Sequence, residues 1–120
     1  PHHFWTGFYL VVSEDQLHVG PYQGPVACQV LKDEGVCLQC ARTGRAVIVP
    51  DVEQFPGHIA CDPRSKSEIA LPVMRRSPAE EANQVIAVLD IDADDLRQFD
   101  EDDVEPLERI LELLQPYLEA

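Results

Sequence analysis

Residues 4–19, FWTGFYLVVSEDQLHV, predict the first two strands of a β-sheet. The run 4–12 is rich in aromatic and β-branched residues, and the shorter run 16–19 follows three polar residues, Ser13, Glu14 and Asp15. Two apolar runs that are separated by a short polar turn are typical of a β-hairpin. The next segment, GPYQGP at 20–25, is rich in turn-forming residues, so we expect a turn after the second strand.

Further strands and one short helix are expected downstream of the hairpin. Brief extended segments are predicted at 27–30 and 46–49, and the second of these, AVIV, ends at Pro50. Helix-compatible residues at 37–43 end at Gly44, a natural left-handed cap. The runs IALPVM (69–74) and VIAVLDI (85–91) predict two longer strands that a charged, exposed connection joins.

The C-terminal segment predicts a long amphipathic helix. Its apolar residues recur at spacings of three and four, namely Val104, Leu107, Leu111, Leu114 and Leu118. The acidic residues 100–103 suit a helix N-terminus, and Pro106 places the start near Asp103. Five or six strands with one short and one long helix predict an α+β fold, an antiparallel sheet with helices on a face. We expect residues 1–120 to form a single domain.

The charge balance argues against two classes of partner. The chain has nine basic and 22 acidic side chains, a net charge of −13, and its acids crowd the C-terminal third. Such a field repels phosphate backbones and anionic lipid heads, so we expect neither nucleic acid nor a membrane as partner. No apolar run approaches the roughly 20 residues of a bilayer span, and Pro1-His2-His3 shows no secretory signal. We expect a cytoplasmic protein, and because the chain opens on a strand we expect residues to be missing upstream.

The four cysteines suggest chemistry more than a disulfide scaffold, which would need a higher density of them. Cys37 and Cys40 form a CxxC motif, which serves either as a redox pair or as half of a zinc site. A zinc site would have to add Cys28, Cys61 or His58, none of which has the usual spacing. A thioredoxin-like pair would need a strand before the motif and a helix after it, and residues 35–36 are a short approach.

The segment 51–67 has no apolar periodicity and contains GHIACD at 57–62. A loop of this length in a small domain is usually functional or disordered. Cys61 lies near its end and is followed by Lys66 and Glu68, so a thiolate and a proton donor can converge there. From spacing alone, a small buried thiol without chemistry explains Cys61 equally well.

Two pairs of residues at even spacing add to the candidate site. Asp90 and Asp92 alternate with apolar residues, so both carboxylates lie on one face of a strand. Neighbouring carboxylates repel unless a proton or a cation lies between them, and a bound ammonium group would supply that charge. Acids that face solvent are the alternative. Trp5 and Tyr9 also share a face, where they can wall a pocket or pack in the core.

Taken together, these motifs resemble those of the free methionine-(R)-sulfoxide reductases, a family of GAF-domain enzymes. They are FWTGFYL (4–10), GPYQGPVAC (20–28), GVC (35–37), VPDVEQFPGHIACD (49–62), SEI.LP (67–72) and VIAVLDID (85–92). The resemblance covers nearly the whole chain, and PGHIACD is its most specific part. It implies a single GAF-type domain with a central antiparallel sheet flanked by helices, here without the usual leading helix.

The resemblance also implies roles for eight residues. One cysteine is the nucleophile and two recycle it, while acids hold the substrate and polarise its sulfoxide and aromatic rings surround its methyl end. By the family pattern the catalytic residues are Cys61, Glu68 and Asp92, the resolving residues are Cys37 and Cys28, and the substrate-binding residues are Trp5, Tyr9, Asp90, Asp92 and Glu68.

The implied activity is reduction of free L-methionine (R)-sulfoxide to methionine. A sulfenic acid on the nucleophile is resolved to a disulfide that thioredoxin reduces, without a metal or an organic cofactor, and similar proteins are homodimers. The segment 30–35 is one residue shorter than is usual in the family, and Cys40 stands in a stretch where Gly-Thr-Ala is usual. The sequence therefore leaves open which of Cys28, Cys37 and Cys40 resolves the sulfenic acid.

Two rival hypotheses come from other functional classes. A GAF sensor would bind a small molecule without turnover, and a degenerate redox sensor would form a reversible disulfide regardless of any sulfoxide. Both use the same fold and the same cysteines, so they differ from the reductase only in turnover.

Overall fold

Six strands, two α-helices and two short 3-10 turns make up the computed structural model, which describes residues 3–58, 61–75 and 84–118. The strands are β1 (His3–Ser13), β2 (Gln16–Gln23), β3 (Val30–Lys32), β4 (Val47–Val49), β5 (Ser67–Arg75) and β6 (Gln84–Ala93). The helices are α1 (Val36–Thr43) and α2 (Val104–Leu118), and the 3-10 turns cover Val52–Gln54 and Glu101–Asp103. All strand pairs are antiparallel, in the order β3-β2-β1-β6-β5-β4.

The predicted hairpin is confirmed, but its second strand is longer than the sequence indicated. β2 does not end at the turn-rich segment 20–25, because β1 is long enough to pair with it as far as Gln23. The register shifts between Gly7 and Tyr9. This bulge accommodates Pro21, which has no N–H to donate to the ladder. The extended segment expected at 27–30 is also displaced, since β3 spans Val30–Lys32.

Both helix predictions are confirmed. α1 ends at Gly44, whose φ of 67° is the left-handed conformation that glycine adopts most easily. α2 follows a 3-10 turn in which Asp100 and Asp103 form a reciprocal capping box, close to the expected start. The longer strands β5 and β6 match their apolar runs, while most of the charged connection predicted between them lies outside the described residues. None of the described helices is long and apolar enough to cross a membrane.

Successive side chains of β5 and β6 lie on opposite faces of the sheet, so the core has one part on each face. Ile69, Leu71 and Val73 of β5 and Ala87, Leu89 and Ile91 of β6 pack against Leu111 of α2. We call this the α2 face. The neighbouring positions Ala70 and Val88 pack with Trp5, Tyr9 and the buried residues of α1 on the opposite, α1 face. The sheet therefore carries one helix on each side.

The predicted apolar stripe of α2 is only partly buried. Leu111 is buried, and Val104 and Leu107 are partly buried against the α2 face. Leu114 is more than a third exposed, and the side chain of Leu118 lies outside the described part of the chain. The outward surface of the helix exposes three more large apolar side chains, Ile110, Leu113 and Tyr117.

Candidate functional site

A pocket of about 600 Å³, including its open mouth, lies on the α1 face of the sheet. Its floor consists of side chains from β1, β5 and β6, and its walls come from the first residues of α1 and the loop segments on either side of the sheet. The fold therefore places a pocket at the positions where the sequence predicted chemistry.

Seven of the eight residues with predicted roles line this pocket. They are Trp5, Tyr9, Cys37, Cys61, Glu68, Asp90 and Asp92. The eighth, Cys28, is joined to Cys61 by a disulfide bond. The structure thus brings together residues of β1 and β6, which are far apart in the sequence.

Strand register positions the three acids. Glu68 of β5 lies opposite Asp92 of β6, and on the other side of β6 Asp92 lies opposite Trp5 of β1. Asp90 is two residues earlier on β6, so its side chain is on the same face as that of Asp92. The prediction that Asp90 and Asp92 share a face is confirmed. The alternative, that these acids face solvent, is wrong for Asp90, which is only 3% exposed.

Burial controls the electrostatics of the acid cluster. The pKa of Asp90 is raised well above its usual value, mainly because the carboxyl is buried and further because the charges of Asp92 and Glu68 are close. The pKa of Asp92 is also raised well above its usual value, by burial first and then by Glu68. The cluster therefore holds protons more tightly than exposed carboxyl groups do, or attracts a cation.

Three buried polar atoms in the described residues make no hydrogen bond to the protein, and all belong to residues that line the pocket. They are Trp5 Nε1, Ser65 Oγ and Asp90 Oδ1. Buried polar groups in native proteins are nearly always hydrogen-bonded, so each such atom needs an explanation. A polar ligand that offers both donors and acceptors would satisfy all three.

The disulfide joins Cys28 and Cys61 with a Cα–Cα distance of 5.4 Å. The shortened segment 30–35 therefore does not prevent Cys28 from reaching Cys61. Cys61 lines the pocket, whereas Cys28 is outside its lining, held by a hydrogen bond of 3.1 Å from the Tyr9 hydroxyl to its carbonyl oxygen.

Cys37 and Cys40 are free thiols on α1. The Cys37 Sγ donates to Glu68 Oε2 across 3.9 Å, and burial, followed by the charges of Asp90 and Glu68, raises the pKa of this thiol. Cys40 is completely buried in the core, and burial followed by the charge of Glu68 raises its pKa to about 12. Cys40 thus has the features of a small core residue, and the CxxC motif begins in the first turn of α1.

A metal could be held by one group of donor atoms among the described residues. The Cys37 sulfur and one carboxylate oxygen each of Glu68 and Asp90 lie within 4.8 Å of one another. This group does not contain Cys40, and the disulfide occupies the sulfurs of Cys28 and Cys61. The predicted alternative of a zinc site built on the CxxC motif is therefore not supported by these positions.

Aromatic side chains form one wall of the pocket. The ring of Trp5 stacks on Tyr9, with centroids 5.6 Å apart, and on Tyr22, with centroids 5.4 Å apart. Gly7 permits this arrangement, because a Cβ at that position would come within 2.6 Å of the Trp5 ring. At the rim, the Arg64 guanidinium lies 5.1 Å from the Phe4 ring centroid and forms an ion pair of 2.7 Å with Asp62.

Three elements of this pocket are not evident from the sequence. His58, considered there only as a zinc ligand, has its Nε2 atom 3.7 Å from Glu68 Oε1. Ser65 contributes one of the unsatisfied atoms. Gly35, Val36 and Cys37 bring the start of α1 to the pocket, and no side chain caps that helix. The uncapped N–H groups at the start of α1 did have a signal in the sequence. A glycine before a predicted helix has no side chain that could cap these groups, so they are left free.

Comparison with known proteins identifies a family model and several relatives that match most of this chain. A family model described as GAF domain matches residues 5–119. The GAF domain-containing protein A of Dictyostelium discoideum is 49% identical over 92% of this chain and 67% of its own length. The free methionine-R-sulfoxide reductase of Saccharomyces cerevisiae is 42% identical over 92% of this chain and 60% of its own.

A solved structure of free methionine-R-sulfoxide reductase from Neisseria meningitidis, in complex with its substrate, is also similar. It has a TM-score of 0.85 and 41% identity over 98% of this chain and 68% of that one. This chain spans from 60% to 68% of the length of these three relatives. The chain belongs to the GAF domain family, in the group that includes the free methionine-R-sulfoxide reductases.

Proposed function

We propose that this protein reduces free L-methionine (R)-sulfoxide to methionine with thiols as the source of electrons. The observation that carries the proposal is the pocket itself, which places a disulfide-forming cysteine, Cys61, beside a cluster of buried acids. Relatives of about 40% identity that are named free methionine-R-sulfoxide reductase support it.

The free amino acid fits the charges and the unsatisfied atoms of the pocket. Its ammonium group would donate to Asp90 Oδ1, which is buried and has no partner in the protein. Its methyl end would contact the stacked rings of Trp5 and Tyr9. Its carboxylate would accept hydrogen bonds from the uncapped first turn of α1, where helix N–H groups favour an anion.

This arrangement explains a preference for the free amino acid over a methionine residue in a protein. In a peptide the nitrogen is an uncharged amide, which cannot neutralise the repulsion between Asp90 and Asp92. The carboxylate is likewise absent. Both ends of the substrate therefore contribute to recognition, and the loop that carries Cys61 would cover the reacting sulfoxide.

In the proposed reaction, the Cys61 thiolate attacks the sulfoxide sulfur. The oxygen must be protonated as the sulfur–oxygen bond breaks, and Glu68 and Asp92 supply this acid function. The raised pKa of Asp92 favours its protonated form, which can donate to this oxygen. The attack forms a bond between the Cys61 sulfur and the substrate sulfur. The protonated oxygen then moves to the Cys61 sulfur, the sulfur–sulfur bond breaks, and methionine leaves with its electron pair while Cys61 becomes a sulfenic acid.

Recycling begins when a second cysteine condenses with the sulfenic acid. Cys28 is the resolving residue that the Cys28–Cys61 disulfide favours. Cys37 remains the second candidate because it lines the same pocket as Cys61. Condensation forms one disulfide and releases one water molecule, so the oxygen of the sulfoxide ends in water.

We assign the final reduction to thioredoxin. A donor thiolate attacks the disulfide, a mixed disulfide forms, and the second donor thiol then releases the reduced protein. Because Cys61 faces the pocket and Cys28 does not, the proposal places the first attack on Cys28, with Cys61 as the leaving thiolate. A thioredoxin-dependent cycle needs a reducing compartment, so we propose the cytoplasm as its location.

A homodimer is the proposed assembly. The outward side of α2 exposes Leu113 by 75% and Tyr117 by 79%, and Ile110 lies beside them on the same helix. Contiguous apolar surface of this kind marks interaction sites in soluble proteins. Sedimentation should show a dimer that Leu113→Asp dissociates, whereas a monomer at micromolar concentration would contradict the assignment.

The reductase proposal is tested by coupled oxidation of NADPH through thioredoxin reductase and thioredoxin. Free (R)-sulfoxide, free (S)-sulfoxide and an N-blocked (R)-sulfoxide are compared at equal concentration. We expect turnover with the free (R) form, and none above background with the other two. Equal rates with all three, or no rate with any, would show that the domain is not this enzyme and would favour the sensor hypotheses.

A further inference from the structure

The hydroxyl of Tyr9 connects the sheet to the segment that carries Cys28. We propose that this hydroxyl is a positioning group that keeps Cys28 within reach of the Cys61 sulfenic acid. The inference rests on the proposed function, but it assigns to Tyr9 a task in recycling, separate from the aromatic wall that its ring provides.

Besides the partial packing of Ala27 and Cys28 against the core, two hydrogen bonds hold the Cys28 segment. Residues 24–29 belong to no helix or strand, and they link the end of β2 to β3. The Tyr9 hydroxyl donates to the carbonyl oxygen of Cys28 at 3.1 Å, and the next carbonyl, that of Gln29, accepts from the Val19 N–H at 2.9 Å. In the oxidised protein the disulfide bond to Cys61 is a third connection. This bond does not exist before Cys28 reacts with the sulfenic acid, so it cannot position Cys28 for that step.

Tyr9 is well suited to hold the Cys28 segment in place. It is only 3% exposed and sits near the middle of β1, where neighbouring strands pair with it on both sides. Burial, followed by the charges of Asp90 and Cys37, raises the pKa of Tyr9 far above its usual value, so the hydroxyl keeps the proton that it donates. A donor on a central strand and an acceptor in a segment without regular structure together define the position of Cys28.

The step that this contact favours is a condensation. The Cys28 sulfur attacks the Cys61 sulfur, the bond between Cys61 sulfur and its hydroxyl oxygen breaks, and water leaves with the thiol proton. The rate depends on how often Cys28 occupies the attacking position, which is an effective concentration. A neutral hydrogen bond contributes roughly 0.5–1.5 kcal/mol, so its loss should lower that concentration about three- to tenfold.

The test uses Tyr9→Phe, which retains the ring and removes only the hydroxyl. The reduced full chain is treated with a stoichiometric amount of hydrogen peroxide, so no sulfoxide is needed, and the Cys61 sulfenic acid is trapped at intervals with dimedone. We expect the sulfenic acid to persist about three to ten times longer in Tyr9→Phe. Cys28→Ser, in which resolution by Cys28 is impossible, gives the upper limit of persistence.

Tyr22→Phe is the matched control, because it removes a hydroxyl from the other tyrosine that stacks on Trp5. We expect its sulfenic acid to resolve at the unmodified rate. A second measurement, the equilibrium of the Cys28–Cys61 disulfide with dithiothreitol, should shift by a similar factor toward the reduced form in Tyr9→Phe alone. Unchanged persistence of the sulfenic acid in Tyr9→Phe would overturn the inference.

Because peroxide generates the sulfenic acid, failure of the inference and failure of the proposed function are distinguishable. Slow resolution in Tyr9→Phe supports positioning even if the sulfoxide assay shows no turnover. Normal resolution in Tyr9→Phe overturns positioning even if the sulfoxide assay succeeds.

Discussion

The two faces of the sheet use the same strands for different purposes. On the α2 face, alternate residues of β5 and β6 are apolar and pack under α2. On the α1 face, the residues between them include Glu68, Asp90 and Asp92, which crowd three carboxyl groups into a buried pocket. Burial of the apolar side chains on the α2 face stabilises the folded state, whereas burial of the carboxyl groups on the α1 face is unfavourable.

This difference indicates where the fold and the chemistry can be varied separately. Because side chains of a strand alternate, a substitution on one face changes the other only through the backbone. Changes on the α2 face should act on the free energy of unfolding, and changes in the pocket should act on turnover. The following predictions test that separation.

The largest effect is expected for Cys61→Ser. Removal of the nucleophile should lower turnover of free methionine (R)-sulfoxide by about a thousandfold or more, since covalent transfer of the oxygen becomes impossible. Circular dichroism and thermal unfolding of the reduced protein should stay close to those of the unmodified chain. Retention of a tenth of the activity would show that another residue attacks the sulfoxide.

Leu71→Ala should give the opposite pattern. Leu71 is 0% exposed in the centre of the α2 face, so its truncation leaves a cavity and should cost about 2–5 kcal/mol in urea unfolding. Turnover per folded molecule should not change. Leu10→Ala, at a position on β1 that is 43% exposed, is the matched control and should change stability by no more than about 0.5 kcal/mol. Equal losses at both positions would contradict the assignment of the core.

Asp90→Asn should affect both properties, in opposite directions. Loss of a charge-assisted hydrogen bond to the ammonium group should reduce kcat/KM by about ten- to a hundredfold. Because burial raises the pKa of Asp90, the folded protein binds more protons than the unfolded chain above the usual carboxyl pKa, and its stability falls as pH rises through the raised value. Because asparagine carries no charge, the stability of Asp90→Asn should fall less as pH rises.

Two measurements check the Asp90→Asn prediction, steady-state kinetics and urea unfolding between pH 4 and pH 9. The variant should gain stability over the unmodified chain as pH increases. Stability that rises with pH in the unmodified chain, with no difference between the two proteins, is the result that would falsify the electrostatic account of the cluster.

Most of the fold could be predicted from the sequence, because its signals are local. Apolar runs located the long strands, Gly44 marked the end of α1, and the acidic residues 100–103 marked the start of α2. The error at the end of β2 arose from a non-local cause. Pairing with β1 extended a strand through Gly20 and Pro21, residues that favour turns in isolation.

The candidate site was less accessible to sequence reasoning. Even spacing placed Asp90 and Asp92 on one face, but the register of β5 and β6 determines that Glu68 lies opposite Asp92. The Cys28–Cys61 bond depends on the approach of two loops, for which spacing gives no rule. Family resemblance supplied the roles of these residues, whereas the approach of His58 to Glu68 and the place of Ser65 in the pocket had no local signal.

The smallest predicted effect concerns Cys40, which belongs to the α1 face but not to the pocket. It is completely buried and packs in the core with Val36 and Leu38, so its sulfur fills space. Cys40→Ala should cost about 1 kcal/mol in urea unfolding, the value of roughly one buried methylene with a small cavity. Turnover and the sulfenic acid lifetime should match those of the unmodified chain. If the variant instead forms one methionine per molecule and then stops, Cys40 takes part in recycling, and the separation between core and pocket fails on this face.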